Sequence, residues 1–268
     1  MPRFDANLTF MWNEVPFLDR FAEAARAGFR AVEFMSPYDY QASEVASRVR
    51  MHKLEVVLFN AAIGDFARGE RGVGALPGRE HDFAAEFTNA LRYAKELACP
   101  RLHVMAGVLP ADASDEVVER YRRTFVRNLR EAASQAAEQD VALTIEPINR
   151  RDIPNYFLTR QDQAHAIREE VGAANLKVQM DFYHCQIVEG DLTETFKQWQ
   201  PHIGHVQIAN VPGRHEPGQG EIDYAYLFRM LDERRYDGWV GCEYKPRTTT
   251  AEGLSWLFRL IDRGAAAE

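Results

Sequence analysis

Short apolar segments recur eight times along the chain, and a stretch with helical periodicity follows most of them. Two of the segments, VALTI at 141–145 and HVQIA at 205–209, are almost continuously apolar. Such runs are typical of strands that are covered on both faces, as in a parallel sheet. The predicted strands are 4–7, 31–34, 55–60, 101–105, 142–146, 177–181, 205–208 and 239–243.

The segments between these strands predict helices. In 16–27, Phe17, Phe21 and Ala24 recur at helical spacing, and Gly28 follows as a C-terminal stop signal. The stretch 115–138 is long, charged and alanine-rich, which indicates a helix on the outside of the fold. The predicted helices are 16–27, 79–97, 115–138, 159–170, 194–199, 224–234 and 251–261.

Alternating strands and helices predict an α/β fold, which either closes into a barrel or forms an open doubly wound sheet. An open dinucleotide-binding sheet would carry a glycine-rich turn after its first strand, but residues 8–12 contain no glycine. The eight strands and the absence of this turn favour a (β/α)₈ TIM barrel. Because the chain has 268 residues and no Pro/Gly/Ser-rich linker, we expect a single catalytic domain over 1–268.

One connection is unusually long and rich in glycine. Residues 61–78, AAIGDFARGERGVGALPG, follow the third predicted strand and contain Arg68 and Arg71. In a barrel this loop lies at the C-terminal ends of the strands, where barrel enzymes bind their substrates. Loops of this length are often lids or binding loops, and a flexible surface excursion is the alternative. Arg71 is therefore a candidate substrate-binding residue.

Composition and charge restrict the class of protein. The formal net charge of −8 opposes binding to a nucleic-acid backbone. No run of about 18 apolar residues occurs, so we expect no membrane span. The three cysteines are far apart and form no metal or redox motif, and the N-terminal segment lacks the apolar run of a signal peptide. These features are typical of a reduced, cytoplasmic protein.

Polar side chains stand at or near the C-terminal ends of the last four predicted strands: Glu146, Asp181, Gln207 and Glu243. In a barrel these ends converge on one mouth. Carboxylates that are buried close together repel one another unless a cation is present. Oxygen donors without cysteine suit Mg²⁺ best, with Mn²⁺ as the alternative, so we predict one divalent metal at these four residues. Taken singly, each residue is more often a solvated strand end or a salt-bridge partner.

Other polar residues lie on or after the predicted strands. His184 follows the sixth strand, and Arg214 lies in a loop rich in Pro and Gly after the seventh strand, where it could bind a carboxylate. A surface arginine is the alternative for Arg214. His103, in the fourth strand, is either a core residue or a substrate contact. We expect Glu33, at the end of the second strand, to be structural.

Five longer segments carry a family resemblance: GERGVGALPGRE (69–80), EPINRRDIPNYFL (146–158), QMDFYHCQIVEGDL (179–192), HVQIANVPGRHEPGQGEIDY (205–224) and GWVGCEYKP (238–246). The chain resembles the hydroxypyruvate isomerase family, within the xylose isomerase-like TIM barrel superfamily, nearly from end to end. Matched segments of this length are more specific than a short motif. Two places depart from the family pattern: Asn155 stands where glycine is expected, and Asn210 with Val211 where Asp-Asn is expected.

The resemblance implies roles for the residues at the strand ends. Glu146 and Glu243 match the family's two catalytic glutamates, which also bind the metal. Asp181 and Gln207 match the remaining metal ligands. The fold that the resemblance implies is the TIM barrel, in agreement with the strand count.

The implied reaction interconverts hydroxypyruvate and tartronate semialdehyde, which is an aldose–ketose type of isomerisation. One glutamate would remove a proton from one carbon and the other would protonate its neighbour, through an enediolate whose charge the metal stabilises. A metal-assisted hydride shift is the mechanistic alternative. His184 and Arg214 match positions that look like substrate contacts in related barrels.

Related activities stay open. Isomerases of 2-oxo-tetronate share most of these motifs, and ketose 3-epimerases or isomerases of the superfamily would use the same metal and glutamates. A DNA-repair endonuclease on this barrel would need several zinc sites and a basic groove, which the acidic chain opposes. We therefore expect a small hydroxy-oxo acid or sugar-like substrate, without a nucleic-acid or membrane partner. A homo-oligomer is left open.

Overall fold

The computed structural model describes residues 1–259 and contains a closed barrel of eight parallel strands. The strands follow one another around the barrel in chain order, and the last pairs with the first. They are β1 (Arg3–Asn7), β2 (Ala31–Phe34), β3 (Glu55–Ala61), β4 (Arg101–Val104), β5 (Ala142–Ile145), β6 (Leu176–Asp181), β7 (Ile203–Ile208) and β8 (Trp239–Cys242). The predicted TIM barrel is confirmed, and the predicted bounds of every strand agree within two residues.

Helices occupy every connection between successive strands. They are α1 (Phe17–Arg26), α2 (Ala42–Met51), α3 (Glu80–Leu97), α4 (Asp115–Ala137), α5 (Gln161–Val171), α6 (Phe182–Val188), α7 (Leu192–Trp199), α8 (Tyr224–Glu233) and, after the last strand, α9 (Thr250–Gly253). Residues 255–259 are also helical, and the last two residues of the predicted helix 251–261 lie outside the described residues. Within 1–259, none of these helices combines the length and the apolar character that a membrane crossing requires.

Two of these helices, α2 and α6, are missing from the predicted set. In α2 the signal was present, because its four buried residues recur at i, i+3, i+4 and i+7. In α6 the sequence FYHCQIV is rich in aromatic and β-branched residues, which are weak helix formers. The start of α6 is determined by an N-terminal cap, because Asp181 Oδ1 accepts the backbone N–H of Tyr183 at 2.8 Å.

Burial on both faces explains the apolar strands. All four residues of β2 are buried, and so are three of the four in β5. One face of each strand points into the barrel and the other packs against the surrounding helices. Inside the barrel, polar side chains meet across it: the Nε2 of His205 in β7 lies 2.6 Å from the Oε2 of Glu33 in β2.

The second half of the segment 61–78 is folded onto the barrel. Its residues from 72 to 75 are buried. The backbone N–H of Gly74 donates to the carbonyl oxygen of Met105 (3.1 Å), and that of Ala75 donates to Ala106 (2.7 Å). These bonds attach the segment to the chain that leaves β4. This half is therefore part of the barrel rim and not a flexible excursion, whereas a lid role for the first half stays a prediction.

Candidate active site

Three carboxylates and one imidazole converge at the C-terminal ends of the strands. Glu146 follows β5, Asp181 ends β6, Glu243 follows β8, and His184 lies in α6. One donor atom from each lies within 4.8 Å of the other three. Glu146, Asp181 and His184 are buried, whereas the side chain of Glu243 is 14% exposed. The barrel thus brings together the three acidic residues picked out at the strand ends, and they form the carboxylate cluster.

Two oxygen atoms of the carboxylate cluster, Glu146 Oε1 and Asp181 Oδ2, are buried and have no hydrogen-bond partner within residues 1–259. Burial, with repulsion from Glu243 and Asp181, raises the pKa of Glu146 well above its ordinary value. Burial raises the pKa of Asp181 to about 7 and that of Glu243 to about 8, although the charge of Arg214 opposes both shifts. These carboxyl groups are therefore costly to ionise without a further cation.

Arg214 brings a positive charge to the cluster from the loop after β7. Its Nη2 donates to Glu243 Oε2 (2.6 Å), and its Nη1 donates to Asp152 Oδ2 (3.1 Å). The guanidinium lies over the rings of Phe10 and Tyr183, 4.7 and 5.1 Å from their centroids. Burial works against this charge, but the neighbouring carboxylates outweigh burial and raise the pKa of Arg214 above its ordinary value. Arg214 therefore stays charged, and its hydrogen bonds and ring contacts fix the position of its guanidinium.

The donor set fits a divalent cation. Three carboxylates face one guanidinium, so two negative charges remain when all are ionised. Two of the carboxylate oxygens are buried without a donor. A hard divalent ion supplies both the missing charge and a partner for these oxygens. The carboxylate cluster is therefore a candidate metal site.

Gln207, the fourth predicted ligand, makes hydrogen bonds to two other buried side chains. Its Nε2 donates to Glu33 Oε1 (2.7 Å), and its Oε1 accepts from Gln179 Nε2 (2.5 Å). The amide oxygen of Gln207 has a second lone pair. Ligation of a metal by Gln207 is compatible with these bonds and stays a prediction.

His103 lines the same cavity as the carboxylate cluster. Its Nδ1 lies 3.1 Å from Asn60 Oδ1 and 3.6 Å from Glu146 Oε2. Burial lowers the pKa of His103 to about 3, so the ring is neutral. Its Nε2 is buried without a partner in the described part of the chain. The predicted role of His103 in substrate binding stays a prediction, and its unpaired nitrogen supports it.

Arg71 is held by its own loop. Its guanidinium carbon lies 3.9 Å from the centroid of the Phe66 ring, and its Nη1 donates to the carbonyl oxygen of Glu70 (2.7 Å). Phe66 begins a short 3₁₀ turn, Phe66–Arg68, and lines the cavity. Arg71 therefore supports a ring at the cavity wall, and its direct contact with substrate stays a prediction.

The cavity in front of the carboxylate cluster contains about 380 Å³ of empty space, including its opening to solvent. The part of this space that water can occupy is about 50 Å³, well below the roughly 300–1,000 Å³ that is typical of ligand pockets. Its walls combine apolar side chains with the polar groups described above. The apolar residues are Phe10, Met35, Phe66, Met105, Ile148 and Ile153. Such a cavity suits a small polar ligand.

A second group of buried charges lies inside the barrel next to the cluster. Asp5, Glu33 and His205 each place one donor atom within 4.8 Å of the other two. Burial and the charge of Glu33 raise the pKa of Asp5 well above its ordinary value. Asn7 Nδ2 donates to Glu33 Oε1 (2.8 Å) and to Glu243 Oε1 (3.3 Å). Asn7 therefore connects this buried group to the carboxylate cluster.

Sequence reasoning missed three asparagines of the site, Asn7, Asn60 and Asn149. Asn7 ends β1, Asn60 is the penultimate residue of β3, and Asn149 lies in the connection after β5. Position near a strand end is the signal that could have found them. Asparagine is also common in turns, so the residue type alone does not distinguish a site from a turn.

At the two departures from the family pattern, the structure gives roles to Asn155 and Asn210, whereas nothing in it explains Val211. Asn155 has a φ of 59°, in the left-handed region that glycine adopts freely and asparagine tolerates. Asn210 is buried, and its Oδ1 accepts the backbone N–H of Ile222 (3.0 Å). This bond closes the base of the loop that carries Arg214.

A closed barrel of eight parallel strands, with helices in the connections and carboxylates gathered at the strand ends, defines the class of protein as a TIM barrel. The model of the xylose isomerase-like TIM barrel family matches residues 21–260, and the chain belongs to this family.

Individual relatives are similar along the whole chain. The chain is 57% identical to the 2-oxo-tetronate isomerase of Cupriavidus necator, over 98% of this chain and 100% of the relative. It is 48% identical to the hydroxypyruvate isomerase of Escherichia coli, over 96% of this chain and 98% of the relative. A crystal structure described as an AP endonuclease, family 2, from Brucella melitensis has a TM-score of 0.93 and 46% identity, over 97% of this chain and 99% of that chain. The family resemblance seen in the sequence is confirmed.

Proposed function

We propose that the protein is a metal-dependent isomerase that interconverts hydroxypyruvate and tartronate semialdehyde. The observation that carries this proposal is the carboxylate cluster, in which two glutamates from different strands line one small cavity. The names of the two curated relatives, 2-oxo-tetronate isomerase and hydroxypyruvate isomerase, support the same class of reaction.

The reaction moves a proton between adjacent carbons. Hydroxypyruvate carries a ketone beside a CH₂OH group, and tartronate semialdehyde carries a CHOH group beside an aldehyde. Burial raises the pKa of Glu243 to about 8 and that of Glu146 well above its ordinary value, and both shifts favour the protonated form that a general acid needs. One glutamate removes a proton from the CH₂OH carbon, and the other delivers a proton to the former ketone carbon. The hydroxyl hydrogen of the CH₂OH group passes to the former ketone oxygen, so that an aldehyde remains beside the new CHOH group.

The other residues of the site bind and orient the substrate. Mg²⁺, or Mn²⁺ as the alternative, held by the carboxylate cluster with Gln207, would supply positive charge that stabilises the oxygen anion developing on the substrate. Arg214 fixes Glu243 and offers its guanidinium to the substrate carboxylate. The rings of Phe10 and Phe66 line the cavity and limit the entry of water.

A four-carbon 2-oxo acid is the second candidate substrate, because the relative from Cupriavidus necator has the higher identity of the two. 2-Oxo-tetronate replaces one hydrogen on the CH₂OH carbon of hydroxypyruvate with a second CH₂OH group. The same proton transfer between the same two carbons applies. The two substrates therefore differ in the space they need and not in the chemistry.

Nuclease activity is disfavoured, although the solved relative from Brucella melitensis is described as an AP endonuclease. The chain has a net charge of −8, whereas a DNA-binding face needs a surplus of basic residues. The carboxylate cluster has two histidines beside it, His184 and His103, which is a poor match for several zinc ions.

Turnover in D₂O tests the proposed reaction. Protein supplied with Mg²⁺ is offered hydroxypyruvate, 2-oxo-tetronate and a ketohexose, and the products are followed by NMR. We expect the short acids to have the higher kcat/KM, and we expect deuterium on the product carbon next to the carboxylate. Retention of the substrate hydrogen there would show a hydride shift in place of proton transfer between glutamates. Preference for the ketohexose would contradict the substrate assignment.

A further inference from the structure

The side chain of Asn149 is fixed in orientation. Asn149 is buried, and its Oδ1 accepts the backbone N–H of Asp152 (2.8 Å). The amide nitrogen Nδ2 therefore faces the other way and lies 2.6 Å from His184 Nδ1. The backbone N–H of Asn149 faces the same ring nitrogen at 3.5 Å. Two N–H donors thus converge on His184 Nδ1.

This arrangement determines which ring nitrogen of His184 carries the hydrogen. A neutral imidazole has one N–H donor and one acceptor nitrogen, and the partner of one nitrogen selects the role of the other. Because Nδ1 accepts from Asn149, the hydrogen lies on Nε2. The 2.6 Å contact with Asn149 Nδ2 leaves no room for a hydrogen on Nδ1, so the ring carries a single hydrogen and is neutral.

The Nε2–H group points into the carboxylate cluster. It lies 3.6 Å from Asp181 Oδ2 and 4.0 Å from Glu146 Oε1, the two buried oxygens without a hydrogen-bond partner in the described chain. Arg214 Nη2 lies 3.4 Å from the same nitrogen, a much longer contact than the 2.6 Å between Asn149 Nδ2 and Nδ1, so the Asn149 contact selects the tautomer. Two donors from His184 and Arg214 therefore flank one position, which suits an oxygen of the substrate.

We propose that Asn149 is a positioning residue that holds His184 in the Nε2–H tautomer, so that His184 donates to a substrate oxygen and does not ligate the metal. A nitrogen that carries a hydrogen has no lone pair for a metal ion. The metal site then consists of oxygen donors alone, which favours Mg²⁺ or Mn²⁺ over Zn²⁺. The substrate contact rests on the proposed isomerase function, whereas the tautomer can be measured without any turnover.

Nitrogen-15 NMR of the histidine rings tests the tautomer in the unmodified protein. The signals of His184 are assigned by their loss in His184→Gln. We expect the hydrogen on Nε2 in the metal-free protein and also after addition of Mg²⁺. A hydrogen on Nδ1, or loss of the Nε2 hydrogen when Mg²⁺ is added, would overturn the proposal.

Asn149→Asp replaces the N–H donor that faces His184 Nδ1 with an acceptor oxygen, and the shape of the side chain changes little. The new carboxylate still accepts the N–H of Asp152, but it presents an acceptor to His184 Nδ1. We expect the hydrogen to move to Nδ1 and kcat to fall at least about 100-fold. Because Nε2 is then available to a metal, the ratio of Zn²⁺ to Mg²⁺ affinity should rise at least about tenfold.

Asn155→Asp is the matched control, because it makes the same chemical change at an exposed position of the same connection. It should alter neither the tautomer nor the affinity ratio. An unchanged tautomer and an unchanged ratio in Asn149→Asp would overturn the proposal. Absence of isomerase turnover in the unmodified protein would count against the proposed function alone, since the NMR result is independent of it.

Discussion

Glu146 and Glu243 each stand one residue after a strand, yet their surroundings differ. Glu243 is partly exposed, and both of its oxygens are held, one by Arg214 and the other by Asn7. Glu146 is buried, and its Oε1 has no hydrogen-bond partner within residues 1–259. The position of Glu243 is therefore set by the protein, whereas Glu146 depends more on a bound cation or substrate.

Replacing either glutamate by glutamine should abolish most of the activity. Glutamine keeps the shape but cannot exchange a proton, and general acid–base groups contribute about 10²–10⁴-fold to a rate. We expect turnover of hydroxypyruvate to fall at least about 100-fold in Glu146→Gln and in Glu243→Gln. Glu131→Gln, at an exposed position of α4, is the control and should be unaffected. Near-native turnover in either site variant would contradict the two-glutamate scheme.

The three acidic residues of the carboxylate cluster could be predicted from the sequence because each directly ends or follows a recognisable strand. The residues that contact the side chains of the site, such as Asn7 and Asn149, could not be predicted from the sequence. Asn7 contacts Glu243 across 236 positions of the chain, and Asn149 contacts His184 across 35. Their roles depend on partners that only the closed barrel brings near, so the residue type and position carry too little information.

Strands were easier to predict than the elements around them. A strand buried on both faces leaves a continuous apolar run, and that signal is strong even in four residues. The helix α6 has no comparable signal, because its first turn is determined by the cap at Asp181 and by tertiary packing. The segment 61–78 was recognised as unusual, but its attachment to the chain after β4 uses backbone groups, which leave no mark on residue type.

A substitution at Gly72 tests whether the close packing of the segment 61–78 on the chain after β4 contributes to stability. Its φ is +103°, and a Cβ there would lie 2.6 Å from the carbonyl oxygen of Met105. Gly69, with a φ of +90°, has no atom within 4 Å of an added Cβ and is the matched control. Gly69→Ala should cost about 1 kcal/mol from backbone strain. Gly72→Ala should cost about 1–3 kcal/mol more because of the steric overlap.

Thermal unfolding of the two glycine variants measures the difference. Gly72→Ala should have the lower Tm, and its KM for substrate should rise because the same segment carries Phe66, which lines the cavity, and Arg71, which packs on the Phe66 ring. Equal Tm values for the two variants would show that the close approach to Met105 is not a constraint.

At the scale of the whole molecule, closure of the barrel concentrates acidic groups in one buried place. Every strand end contributes to one mouth, so residues far apart in the chain share one electrostatic environment. Asp181 and Glu243 carry pKa values raised to about 7 and about 8, mainly by burial. Metal binding and protonation therefore compete for the same groups.

Metal affinity should depend on pH in a defined direction. The metal binds ionised carboxylates, so Mn²⁺ affinity should rise between pH 6 and pH 8, level off above that range, and be accompanied by proton release. Calorimetry in buffers of different ionisation enthalpy measures both quantities. Affinity that does not change between pH 6 and pH 8 would contradict the raised pKa values.

The same pKa values affect the stability of the metal-free protein. A carboxyl pKa that is higher in the native state means that the native state binds more protons than the unfolded state between about pH 4 and pH 8. These two groups therefore lower the stability of the metal-free protein as pH rises through that range. Addition of Mn²⁺ should accordingly raise the Tm more at pH 8 than at pH 6.

The most direct test is turnover of hydroxypyruvate by metal-stripped protein before and after addition of Mg²⁺ or Mn²⁺, with 2-oxo-tetronate assayed in parallel. We expect negligible conversion without metal and restored conversion of at least one of the two acids when either ion is added, since the carboxylate cluster needs a cation to act. Full activity of the metal-stripped protein, or no conversion of either acid with metal present, would contradict the account of this site as a metal-dependent isomerase.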